Sequence, residues 1–187
     1  MKKLIIVSLL LLVTVGFAQA GTLVEMKTNM GTIKLELNDE KAPLTVKNFL
    51  SYVDDKFYDG TIFHRVISNF MIQGGGFDTL PKRKEVKAPI KNEADNGLPN
   101  VKGSIAMART GEIDSATSQF FINLIDNDFL NHRGKTGLTY GYAVFGQVVE
   151  GMDVVERIGQ VKTVAKSSLF RNYPERQVVI ESIRRAE

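Results

Sequence analysis

Between residues 22 and 38 apolar and polar side chains alternate: Ile33, Leu35 and Leu37 fall on one side of an extended chain, Lys34 and Glu36 on the other, with Asn29-Met30-Gly31 interrupting the run. A period of two around a turn predicts a β-hairpin with one buried face. The period then changes. Pro43 suits the first turn of a helix, and Val46, Phe49, Leu50 and Val53 recur at i, i+3, i+4 and i+7, which predicts an amphipathic helix ending near Asp54. Apolar segments of mostly strand length follow at residues 61–67, 70–74, 104–108, 119–124, 143–149 and 177–183. Val154, Val155 and Ile158 form an apolar stripe on a second short helix over residues 152–158. About eight strands and two helices, without β-α-β alternation, predict a mainly β protein: a closed antiparallel barrel with helical lids.

Two stretches resist this reading. Residues 75–103 are rich in Lys, Asn, Gly and Pro and carry little periodicity, and loops of that length in a small domain are usually functional or mobile. Within it, Lys82-Arg83-Lys84 reads as a solvated surface patch. Residues 163–176 form a second irregular connection with no assignable element.

The N-terminus has its own pattern. Lys2 and Lys3 precede an apolar run from Leu4 to Phe17, and Ala18-Gln19-Ala20 supplies the small-x-small signature of signal peptidase. The run is shorter than the roughly 20 residues that cross a bilayer, so a cleaved signal peptide over residues 1–20 is favoured over an anchor. Residues 21–187 then make one domain, exported, with no stable membrane association after cleavage. The periplasm is the expected compartment, or the medium if the organism has no outer membrane.

Of the formal charge of +3, Lys2 and Lys3 contribute two, so the mature side chains sum to +1 and nucleic acid is not an expected partner. With no Cys and only His64 and His132, thiol chemistry is excluded, and no zinc site of usual spacing or G-x-S-x-G nucleophile elbow can be assembled. Gly74-Gly75-Gly76 lacks the Lys-Ser/Thr of a phosphate loop. No metal or cofactor is expected.

Two segments remain: residues 63–75, FHRVISNFMIQGG, and residues 118–122, SQFFI. On a strand Gln119 and Phe121 share one face, Phe120 and Ile122 the other. A groove on the outside of a filled barrel would give Gln119 its solvent. Arg65 sits among apolar neighbours and needs an acidic partner or water; a salt-bridged structural arginine is the commoner case, and parity with Met71 and Gln73 allows a groove arginine instead. His64 points away from Arg65 on strict alternation, into the structure, as a neutral, hydrogen-bonded imidazole. His132 reads as exposed.

In order and spacing these segments, with Val144-Phe145-Gly146 and Gly151-Met152-Asp153-Val154-Val155, resemble the cyclophilin family over about residues 23–183. The resemblance implies an eight-stranded antiparallel barrel capped by two α-helices, and peptidyl-prolyl cis-trans isomerase activity in an outer groove. It places the catalytic arginine at Arg65, the proline pocket at Phe70, Met71, Phe121 and Leu130, a backbone-binding glutamine at Gln73 and a groove-wall glutamine at Gln119. Ala108 and Arg109 match the strand that pairs with bound peptide, although many eukaryotic members carry Asn at the second position. Phe129 stands where cyclosporin-sensitive members carry Trp, removing the indole donor for that drug. Tyr142 stands where they carry His, as in the bacterial secreted branch. The implied partners are proline-containing polypeptides, unfolded exported proteins among them, met by a monomer. A binding module of the same fold without turnover is the chief alternative; a lipocalin-like ligand barrel is disfavoured by the heavy apolar content of the strands.

Overall fold

The first hairpin forms from β1 (Thr22–Thr28) and β2 (Gly31–Leu37), with Val24, Met26, Ile33, Leu35 and Leu37 buried and the residues between them facing outward. The computed structural model describes residues 21–186; the signal peptide assigned to residues 1–20 lies outside the described residues. Helix α1 (Pro43–Asp54) buries Val46, Phe49, Leu50, Tyr52 and Val53. Six further barrel strands follow: β3 (Thr61–Ile67), β4 (Met71–Asp78), β5 (Ser104–Met107), β6 (Phe120–Asn123), β7 (Val144–Glu150) and β10 (Val179–Arg185). They close in the order β1-β10-β3-β4-β6-β5-β7-β2, each pair antiparallel, so the eight-stranded barrel leaves no edge to recruit another chain. Helix α2 (Met152–Gly159) turns Val154, Val155 and Ile158 into the same core as α1. Among the described residues no helix is long and apolar enough to cross a membrane.

The barrel is filled. Phe49 of α1 lies 5.2 Å from Tyr58, 5.7 Å from Phe120 and 5.2 Å from Phe145, so one aromatic ring from the lid locks against two from the wall and one from the turn before β3. Gly75, at φ +79, is needed there: a Cβ on it would sit 2.8 Å from the Phe120 ring and 2.9 Å from that of Tyr58.

Residues 78–103 are a strap tied down along its length, not a mobile loop. Ile90 pairs with Ala116, Asn92 donates to the Gly141 carbonyl and Asn96 to that of Val144. Glu93 reaches back to α1, whose N-cap, Ala42, has no side-chain acceptor: its carboxylate takes the Leu44 and Thr45 amides at 3.0 and 2.8 Å and the Thr45 hydroxyl at 2.7 Å. Residues 163–176 also acquire structure, a two-stranded ladder of β8 (Thr163–Val164) and β9 (Tyr173–Pro174). Its Phe170 and Tyr173 pack with Phe77 and Ile62 over the outer face of β3.

His64 is buried in that outer cluster, not in the barrel. Its ring lies 4.7 Å from Phe77 and 6.4 Å from Phe170, and among the described residues Nδ1 has no hydrogen-bond partner, which leaves the Ile62 backbone as the support for the hydrogen-bonded imidazole expected from the sequence. Burial, with the Arg65 charge adding to it, pushes its pKa from 6.5 to about 4 and keeps the ring neutral. His132 is tied to the chain by a 2.8 Å contact between Nδ1 and the Tyr140 carbonyl.

Candidate active site

A bulge decides where Arg65 points. Opposite β4, Phe63 pairs with Gly74 and Arg65 with Gln73, so β3 advances two residues while β4 advances one. Phe63 and Val66 therefore both enter the core at a spacing of three, and Arg65, which strict alternation from Phe63 would send inward, emerges on the outside. It is half-buried. Its Nη1 donates to Gln73 Oε1 at 3.2 Å and lies 4.0 Å from Met71 Sδ, and its guanidinium carbon is 5.9 Å from the Phe70 ring centroid. Among the described residues no carboxylate is within ion-pairing distance of it, which removes the salt-bridged structural role. Burial lowers its pKa from the usual value; the group stays charged, with most of its donors uncommitted.

Beside the guanidinium is an apolar floor outside the barrel. Met71, Ala106, Phe121, Leu130 and Val144 are buried together, with Ile67, Phe70, Leu98, Ala108 and Tyr142 packed around them. The chain turns to bring Phe70 there: Asn69 adopts φ +56, and the Phe70 carbonyl accepts from the Leu124 amide at 2.9 Å and from Asn127 Nδ2 at 3.0 Å. Phe129, 57 % exposed, stacks on Phe70 at 5.6 Å, and Leu130 follows it in a 3-10 turn over Asp128–Leu130. On the far side Tyr142 meets Phe121 edge-on at 5.5 Å.

A polar line borders this floor. Gln119 Oε1 accepts from Gln73 Nε2 at 2.9 Å, and Gln73 in turn accepts from Arg65, so a chain of amides orients the cation. Gln119 lies across Gly76, where a Cβ would stand 2.5 Å from its side chain. Ala108 donates its amide to the Gln119 carbonyl at 2.9 Å, and Arg109, half-buried like it, continues the chain beyond.

Every side chain singled out in the sequence thus borders one trough, except that the Arg109 side chain turns away to the neighbouring loop. Ala106 and Val144 in the floor were missed, although parity on β5 places Ala106 opposite Ile105 and Met107. Also missed was the buried amide cluster behind Phe70, in which Asn123 bonds Asn100 at 3.2 Å, Ser104 at 2.9 Å and Asn127 at 2.8 Å; nothing in the local pattern announces it. Two other surface depressions, of about 590 Å³ beside Glu36 and Asp39 and about 790 Å³ beside Asp153 and Glu156, contain none of the site side chains singled out in the sequence, and the first shares only Leu98 and Val144 with the floor. The trough suits an extended chain bearing one compact apolar ring, with a fixed cation at that ring's edge.

Residues 23–185 match the family model described as cyclophilin type peptidyl-prolyl cis-trans isomerase/CLD. The chain is 58 % identical to a peptidyl-prolyl cis-trans isomerase of Acinetobacter baylyi, over 89 % of this chain and 86 % of that protein. It is 54 % identical to peptidyl-prolyl cis-trans isomerase B of Escherichia coli, over 86 % and 98 %. A Cryptosporidium parvum cyclophilin type isomerase solved in the presence of the dipeptide Ala-Pro is similar at 26 % identity with a TM-score of 0.71, covering 88 % of this chain and 99 % of that one.

Proposed function

The chain belongs to the cyclophilin-type peptidyl-prolyl cis-trans isomerases, and from that premise we propose that catalysis takes place in the outer trough, with Arg65 as the catalytic residue and exported polypeptides as substrates. Rotation about an X-Pro bond must break amide resonance against a barrier of about 18–20 kcal/mol, which makes it slow, on the order of tens to hundreds of seconds, without help. Turnover at about 10 to 10³ per second requires roughly 4–7 kcal/mol of stabilisation given to the twisted amide and not to either isomer.

Phe70, Met71, Phe121 and Leu130 hold the proline ring, and Phe129 extends their wall outward. Gln73, Gln119 and the backbone at Ala108 and Arg109 hold the flanking chain, with Tyr142 at the far end of the pocket. The bond between is left free to turn. As resonance is lost the prolyl nitrogen becomes pyramidal and gains a lone pair; the Arg65 guanidinium, held by Gln73, donates to it and binds the half-rotated state preferentially. No proton leaves or arrives. The observation that carries this reading is a half-buried guanidinium with no carboxylate partner among the described residues, fixed beside an apolar floor.

The test is line broadening between the cis and trans resonances of a short Ala-Pro peptide. Broadening with substoichiometric protein is expected; shifts of the trough residues without exchange in the peptide would replace the enzyme by a peptide holder.

Residues 1–20 support export through cleavage after Ala20, acting as a monomer on unfolded proline-containing proteins in the periplasm or, without an outer membrane, outside the cell. The purified native protein is then expected to begin at Gly21 and to fractionate with exported proteins. A chain starting at Met1 in the cytosol would overturn this.

A further inference from the structure

The Arg109 side chain makes a contact for which its place in the trough gives no reason. Its guanidinium donates from Nε to the Gly141 carbonyl at 2.9 Å, from Nη2 to the Gly137 carbonyl at 2.7 Å and from Nη1 to the Thr110 carbonyl at 2.9 Å. All three acceptors are backbone. Its carbon stands 4.9 Å over the Tyr142 ring, which packs against Phe121 at an interplanar angle of 81°.

The other contacts of the loop it grips lie near the loop's ends: His132 Nδ1 on the Tyr140 carbonyl at 2.8 Å, Arg133 Nη2 on that of Phe129 at 3.1 Å and Asn92 Nδ2 on that of Gly141 at 3.2 Å. Half of residues 133–140 are exposed, Leu138 at the tip 94 % so, and the hydrogen bonds within the loop join Arg133, Gly134, Thr136, Thr139 and Tyr140 to one another. The two loops approach closely: a Cβ on Gly137 would stand 2.6 Å from the Gly111 carbonyl oxygen. A planar fork with several N–H groups can satisfy carbonyls on both loops at once, while an ammonium acts as a single point.

We propose that the Arg109 guanidinium is a positioning residue, which clamps the 133–141 loop to the 109–111 loop and so fixes Tyr142 as the end wall of the peptide-binding trough. This rests on the reading of the trough as the substrate site. Arg109 touches no reacting atom, so it sets affinity and leaves the rotation step to Arg65.

The test compares wild type, Arg109→Ala and Arg109→Lys by Kd for an Ala-Pro peptide, by isomerisation kinetics and by amide hydrogen exchange. Arg109→Ala should raise Kd and KM about tenfold while changing kcat less than about threefold, the signature of binding lost equally from ground and transition states. The amides of Arg133, Thr139 and Tyr140 should exchange at least about tenfold faster while those of β6 do not change. Arg109→Lys, which keeps the charge and loses the fork, should fall between and serves if the alanine variant fails to fold. Unchanged Kd, or raised Kd with loop exchange unaltered, would overturn the clamp. A wild type that binds without turnover would overturn the isomerase reading instead, and the Kd ratios would still decide the clamp.

Discussion

The inner and outer faces of the same strands have opposite chemistry. On β6, Phe120 and Ile122 face a core in which Phe49, Tyr58, Phe63 and Phe145 also meet; the buried Tyr58 hydroxyl there donates to the Ser118 carbonyl at 2.9 Å. One residue along, Phe121 looks outward onto a floor of similar apolarity bordered by Arg65, Gln73 and Gln119. Inside, every contact is made between parts of the protein, whereas outside a cation and two amides border the apolar floor, and the proposed function gives them another chain to hold. Alternation along a strand therefore separates stability from function across a single wall, and substitutions on the two faces should fail in different ways.

The largest stability effect belongs inside. Phe120→Ala removes a ring fully buried among Phe49, Tyr58 and Phe63 and should cost about 3–5 kcal/mol in urea unfolding, with activity lost only as the protein unfolds. Lost catalysis at unchanged stability would break the division between the faces.

Next is His64, buried on the outside yet away from the trough. Its folded pKa of about 4 lies below the unfolded 6.5, so the unfolded chain takes up the proton first. The stability tied to the neutral ring is complete above pH 6.5 and is lost as pH falls toward 4, about 3 kcal/mol in all. His64→Leu should flatten the fall in urea midpoint between pH 7 and pH 4.5; an unchanged slope would place the acid sensitivity elsewhere. A smaller effect is expected at Glu93. Glu93→Ala strips the borrowed cap from α1 and should cost about 1 kcal/mol with kcat/KM unaltered, since the Glu93 carboxylate bonds α1 and no side chain of the trough.

The same contrast explains what the sequence made legible. The hairpin and both helices follow from clean periods, Ile33-Leu35-Leu37 for the strand and Val46-Phe49-Leu50-Val53 for the helix, because each buries one regular face. Gln119 and Phe121 were separable from Phe120 and Ile122 on the same ground. The orientation of His64 and Arg65 was not, because a bulge adds a residue without leaving a mark in hydrophobicity: alternation from Phe63 puts His64 outside, and the bulge turns Arg65 out beside it. Family resemblance supplied the role of Arg65 where periodicity left a choice. The strap and the β8–β9 ladder stayed hidden for a different reason: Glu93, Asn92 and Asn96 act singly across long sequence separations, and strands two residues long have no period.

The central claim is that the wall turns a lone guanidinium outward to stabilise a twisted prolyl amide. It is tested most directly by kcat/KM for an Ala-Pro peptide in Arg65→Ala, measured beside its thermal midpoint. The account predicts a loss of about 10²–10³-fold, the scale of removing one preorganised transition-state donor, with the midpoint within about 4 °C of wild type, the shift expected for less than 1 kcal/mol. Activity near that of wild type, or a loss that only tracks unfolding, would contradict it.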